Sequence, residues 1–171
     1  MAEAIDIGGL RLLNATAADT LFYDAGNVLN TGSRIALVRL TNLGEPFDED
    51  RPSAVAPLAL IVPQQVGNRF AQLGLAVAQP EPTAPQPGMS LRLANPADTV
   101  IDAGPRAAGQ TYLEGDYIHL RDQVYVTLRL VDGRDNRLLS STEYVFELTS
   151  DLFPLLDPSE AGGMFGTRWM R

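Results

Sequence analysis

Three runs of alternating apolar and polar residues stand one after another near the end of the chain: TYLEGDYIHL from Thr111, QVYVTLRLVD from Gln123 and RLLSSTEYVFEL from Arg137. Only the short polar pieces RD and GRDN separate them, too short for anything but tight reversals. Side chains along a strand point to opposite faces with a period of two. On the middle run Val124, Val126, Leu128 and Leu130 therefore share one face, and Tyr125, Thr127 and Arg129 take the other. The pattern predicts an antiparallel meander with one apolar side, which must be covered, and one polar side, which need not be.

The busiest chemistry in this region is the turn VDGRDNR. Gly133, Asp135 and Asn136 are residue types that tolerate positive backbone angles or fold a side chain back onto a nearby amide. The charges keep a hairpin tip in water, so the cluster reads as a turn.

Upstream, NATAADTLFYDAGNVLN places Ala17, Leu21, Ala25, Val28 and Leu29 three and four apart, the spacing of a helix over residues 14–30. Asn14 or Thr16 is the expected cap and Gly32 the expected exit. RIALVRLTNL, from Arg34, is apolar on both alternating faces and so predicts a buried central strand. SAVAPLALIVPQQVGNRFAQLG carries Val55, Leu58, Val62, Val66, Phe70 and Leu73 on one face. Ser53 is its candidate cap and Gly74 its stop, with Pro63 expected to kink or restart it. LAVAQ follows as a short strand, and strand, helix, strand makes a crossover if the two strands are parallel. PEPTAPQPG can only be an extended connector, MSLRLA reads as a brief strand, and residues 95–109 hold prolines and glycines that deny a long helix. TSDLFPLLDPS predicts a short helix capped by Thr149 or Ser150.

The expected architecture is α+β: a mixed sheet ending in a three-stranded antiparallel meander, with helices packed on it. Residues 1–13 are expected to be an N-terminal extension, 14–156 one α/β domain and 157–171 a flexible C-terminal tail. A chain of 171 residues suits one domain, able to bury roughly 68–75% of its unfolded surface.

Charge narrows the partners. The formal net charge is −8, and all 13 basic residues are arginine. Such acidity argues against nucleic acid and against an anionic membrane surface, and the missing lysine removes Schiff-base and phosphate-loop chemistry. With no cysteine there is no thiolate site and no disulfide. The N-terminus has neither the basic start nor the apolar run of a signal peptide, and no stretch is long and apolar enough for a membrane helix. A leader, if there is one, lies outside this numbering.

Catalytic groups are sparse. His119 is the sole histidine and sits on a strand next to a turn, where a surface role is expected rather than a general base. Glu114 and Asp116 lie two apart on one strand face, the one carboxylate pair to weigh for acid–base work, but the chain's single tryptophan, Trp169, is far from them in sequence and no sugar platform accompanies them. Asp48, Glu49 and Asp50 lack the ligand spacing of a calcium loop, so a solvated loop is expected. No catalytic, cofactor-binding or metal-ligating residue is assigned, and no cofactor is expected.

The stretch YLEGDYIHLRDQVYVTLRLVDGRDNRLLSSTEYVFELTSDLFPLL resembles the C-terminal half of the FlgO family of flagellum-associated outer-membrane proteins. The matching parts are Gly115, Asp116 and Tyr117, then Val124 to Asp132, then Arg137 to Ser141, then Asp151 to Leu156. AADTL, IALVRLTNL and the amphipathic segment ending in LG are similar to that family's N-terminal half. Hairpins of this kind also recur in domains resembling the N-terminal domain of TolB and the CsgG and LpoB groups. The resemblance implies a periplasmic or outer-membrane-associated, non-catalytic protein that supports flagellar assembly or motility through protein contacts. Its partners would be other envelope or flagellar proteins, with a homo-oligomer the expected form. Membrane contact would come only through a lipid anchor or a partner outside this chain. Exposed Phe165 and Trp169 in the tail are the candidate interaction residues. The alternative is an envelope domain that binds a small ligand or peptide, with Asp48–Asp50 and residues 95–109 forming its pocket.

Overall fold

The computed structural model describes residues 5–30, 32–44, 55–78, 100–101, 106–107 and 109–157. Outside them lie Ser53, Asp48–Asp50, the proline-rich connector, MSLRLA, much of 95–109, and Phe165 and Trp169. The fold is α+β. Helix α1 (Ile7–Ala25) precedes strands β1 (Arg34–Val38) and β2 (Thr41–Asn42), and helix α2 (Pro57–Gln72) precedes β3 (Ala76–Ala78) and β4 (Val100–Ile101). The meander follows as β5 (Thr111–Leu120), β6 (Gln123–Asp132) and β7 (Leu138–Glu147). Strand order across the sheet is β3-β1-β5-β6-β7. β1 is parallel to β3, β4 and β5, whereas β5, β6 and β7 are antiparallel, so the sheet is mixed.

The expected alternation holds. Leu113, Tyr117, Val124, Val126, Leu128, Leu130 and Phe146 are buried with Leu10, Leu21, Val62, Val66 and Phe70 of the helices in one core. Both helices lie on this face, α1 over β7 and α2 over β1. Ile35, Ala36, Leu37 and Val38 are all buried, as the two-sided apolar pattern of β1 requires.

Several boundaries differ from the sequence reading. α1 starts at Ile7, so residues 7–13, expected as an extension, form its first turns, and Leu10 is fully buried. Its cap is the Asp6 carboxylate, which accepts the Gly9 amide at 2.7 Å. The helix ends at Gly26 rather than Gly32. Asn14 and Thr16 are mid-helix, the Thr16 hydroxyl donating back to the Leu12 carbonyl at 3.0 Å.

α2 neither restarts nor breaks at Pro63. The proline has no amide to give the Ala59 carbonyl, which would be left orphaned in the interior. Leu40, in the connection between β1 and β2, donates its amide there instead at 3.0 Å. The defect in the helix thus becomes a tie to the sheet. It falls at an irregularity: Ile35 stands opposite Thr111 but Thr41 opposite Asp116, so the register slips by one residue between β1 and β2. At the other end, Gly74 has φ of 87°. Its amide bonds the Ala71 carbonyl and the Leu75 amide bonds that of Phe70, at 3.1 and 3.0 Å. This is the paired closure that an αL residue makes at a helix exit.

The β5–β6 reversal is the two-residue turn Arg121–Asp122, with Arg121 at φ of 59°. Positive φ at the first central position matches the twist of the flanking strands but strains a residue with a Cβ. Arg121→Gly is expected to stabilise the fold by roughly 0.5–1 kcal/mol, strain relief outweighing the added freedom of the unfolded chain. A urea melt showing a lower midpoint would contradict this. The expected helix after Thr149 is instead one 3-10 turn, Phe153–Leu155, and the Thr149 hydroxyl donates to the Ile5 carbonyl at 2.9 Å.

Candidate functional site

With both helices on one face, the described residues leave the other face of β5, β6 and β7 facing outward. At its β1 end a small cluster of Ala36, Val38 and Tyr112 is buried. Across the meander the face carries Glu114, Asp116 and Ile118 of β5, Tyr125, Thr127 and Arg129 of β6, and Ser141, Glu143 and Val145 of β7. The register puts Glu114 opposite Arg129, Arg129 opposite Ser141, and Thr127 opposite Glu143. Tyr125 is 42% exposed and Leu120 52%, apolar surface among charges.

The two carboxylates weighed for catalysis do sit side by side here, but each has its own arginine. Asp116 pairs with Arg129 and Glu114 with Arg106. Arg106 also donates to the Asn136 side chain at 2.8 Å and lies over the Tyr112 ring, 5.6 Å from its centroid. It pins the segment before β5 to the β6–β7 turn. Each carboxylate is thus engaged by a guanidinium, an arrangement that fixes a charge pattern on this face. His119 is exposed on the helix side of β5, away from Glu114 and Asp116. Among the described residues, no three acidic or histidine side chains gather where they could hold a metal.

The turn at 133–136 proves to be scaffolding. Asp132 accepts the Arg134 amide at 2.8 Å and Asp135 the Arg137 amide at 3.0 Å. Asn136 takes φ of 59° and donates its amide to the Asp132 carbonyl. Gly133 fits against the Ala107 and Gln110 carbonyls, and its amide donates to the latter at 2.9 Å.

Sequence reading missed a polar relay under the sheet. The Tyr144 hydroxyl donates to Asn14 Oδ1, and Asn14 Nδ2 donates to Gln65 Oε1 at 2.7 Å. One amide, fully buried, joins β7, α1 and α2. Burial pushes the Tyr144 hydroxyl's pKa far up, so it remains a proton donor across the ordinary pH range. Nearby, Ser140 donates to the Leu21 carbonyl at 2.9 Å, and Arg69 grips Asp19 with two nitrogens at 2.7 and 3.0 Å. Tyr144→Phe strands Asn14 Oδ1 in the core and is expected to cost about 1–3 kcal/mol in a denaturant melt; an unchanged midpoint would mean the relay bears no weight.

β7 forms the outer edge of the sheet, with no strand beyond it among the described residues. The Leu148 amide bonds the Asp122 carbonyl at 2.6 Å, which fixes the parity of the β6–β7 ladder. Phe146, Tyr144, Thr142 and Ser140 therefore bond inward to β6. Ser141, Glu143, Val145 and Glu147 point both backbone groups outward.

No family model matches the sequence, and no curated protein does. Solved structures that this chain resembles include the following two. The C-terminal domain of LpoB from Salmonella enterica matches with a TM-score of 0.47 at 12% identity, covering 77% of this chain and 95% of that one. Lipoprotein GNA1162 from Neisseria meningitidis matches with a TM-score of 0.43 at 22% identity, covering 77% of this chain and 89% of that one.

Proposed function

We propose that this chain is a non-catalytic structural and interaction protein of the cell envelope, resembling FlgO, that supports flagellar assembly or motility through protein contacts. The observation that carries the interaction part is the meander itself. One side is sealed by two helices, while the other presents ion-paired carboxylates and exposed aromatic and aliphatic residues beside a strand edge that pairs with no other strand among the described residues. Pairing Glu114 and Asp116 with arginines suits a contact surface of fixed charge pattern, which gives specificity between partners. The envelope and flagellar parts rest on the wording of residues 112–156, which resembles FlgO. Phe165 and Trp169 are proposed as further contacts.

Affinity capture from an envelope fraction, followed by electron microscopy of the captured assembly, tests this reading. Recovery of an envelope ring or motility component with this chain on it is the expected result. Deleting the gene is expected to shrink swimming zones in soft agar. A chain that captures no envelope protein, with motility intact in the deletion strain, would overturn it.

A further inference from the structure

We propose that the outer edge of β7 is a strand-addition site for an extended peptide segment of a partner, with arginine or lysine at alternate positions. This deepens the interaction reading and rests on it.

Ser141, Glu143, Val145 and Glu147 offer their amides and carbonyls away from β6, and an added strand satisfies those groups in register. The same residues place their side chains on the open face, so the edge and the uncovered side belong to one surface. The usable length is bounded. At the turn end the register shifts between Leu130 and Val131, placing a bulge at Leu138–Leu139 that takes the strand out of regular pairing. At the other end the chain leaves the strand after Glu147 and enters the core at Leu152.

Charge selects the occupant. Glu143 and Glu147 stand on the same face of the edge, and neither has an ion-pair partner among the described residues. A second copy pairing antiparallel through this edge sets Glu143 against Glu147 when the two-fold lies at Val145, and Glu143 against itself when it lies at Glu143. Like charges directly opposite oppose such pairing. The carboxylates thus disfavour these two self-pairings and favour a basic strand, in keeping with the chain's net charge of −8.

The probe is a short peptide alternating arginine with valine, with a counterpart alternating aspartate with valine, added to the isotopically labelled full chain. The arginine peptide is expected to slow amide exchange at Ser141, Glu143, Val145 and Glu147 by roughly tenfold or more at saturation, leaving the inward-bonded amides unchanged. The aspartate peptide is expected to do nothing. Val145→Pro removes an outward donor that β6 does not use, so it is expected to keep the fold, checked by its melting midpoint, and to lose peptide binding at least tenfold. Glu143→Arg with Glu147→Arg is expected to reverse the preference to the aspartate peptide, an independent check should the proline variant unfold. Protection elsewhere on the chain, equal response to both peptides, binding untouched by the double reversal, or a dimer paired through β7 would each overturn the proposal. If envelope capture persists with the double reversal while the arginine peptide fails to bind, only the edge proposal falls. If capture also fails with the unaltered chain, the interaction reading falls with it.

Discussion

Gly115→Ala is expected to lower stability by about 3 kcal/mol, the high end of what overpacking costs. Gly115 lies mid-strand in β5, opposite Leu128 and under the helices. A Cβ placed there falls 2.1 Å from the Thr127 carbonyl oxygen, and within 3.1 and 3.2 Å of the Leu128 and Leu40 side chains. The leucines can turn aside, but the carbonyl belongs to the ladder, so relief requires β5 and β6 to part locally and weaken their hydrogen bonds. For a domain of this size the loss corresponds to a fall in melting temperature of about 6–12 °C. A variant melting within a degree or two of the parent would show that the two strands stand further apart than described.

Phe146→Ala is expected to cost about 3–5 kcal/mol, the range for removing a buried aromatic ring. Phe146 is 1% exposed and projects from β7 into the layer beneath the helices. Its ring stacks on Tyr144, the centroids 6.4 Å apart and the planes 26° from parallel. Truncation opens a cavity and also frees the ring whose hydroxyl holds Asn14, so it should couple to Tyr144→Phe. In a double-mutant cycle the two losses are expected not to add. Phe146→Leu should recover most of the stability by refilling the volume. Additive losses would show the stacking and the relay to be independent.

The meander was legible because its information is local. Period-two alternation set the facing of Val124 to Leu130, and short polar breaks at Arg121–Asp122 and Gly133–Asn136 set the reversals. Gly74 was legible for the same reason, a residue type matched to a backbone angle. What escaped the sequence was decided by distant partners. Asn14 has the side chain of a helix cap, yet its partners Gln65 and Tyr144 lie 51 and 130 positions along the chain. The true start of α1 was hidden by Gly8 and Gly9, poor helix formers that the Asp6 cap and the burial of Leu10 override. Pro63 was expected to kink or restart the helix, yet α2 runs on through it from Pro57 to Gln72. That Leu40 would supply the missing donor depends on β1 passing beneath α2, which no local pattern states.

The candidate site divides in the same way. Glu114 and Asp116 were correctly placed on one strand face and set aside for want of a sugar platform, but their arginine partners, from a neighbouring strand and from a preceding segment, could not be read before the register was known. Likewise, alternation could not say which strand would end up at the edge, since strand order is set by the β1–α2–β3 crossover inserting β1 beside β5.

Amide-resolved hydrogen exchange on the isolated chain tests the open edge most directly. With β7 free, Ser141, Glu143 and Val145 exchange fast while Thr142, Tyr144 and Phe146 are slow, an alternation along a single strand. Uniformly slow exchange from Ser140 to Glu147 would mean that the edge is already occupied, and the contact surface would have to be sought elsewhere.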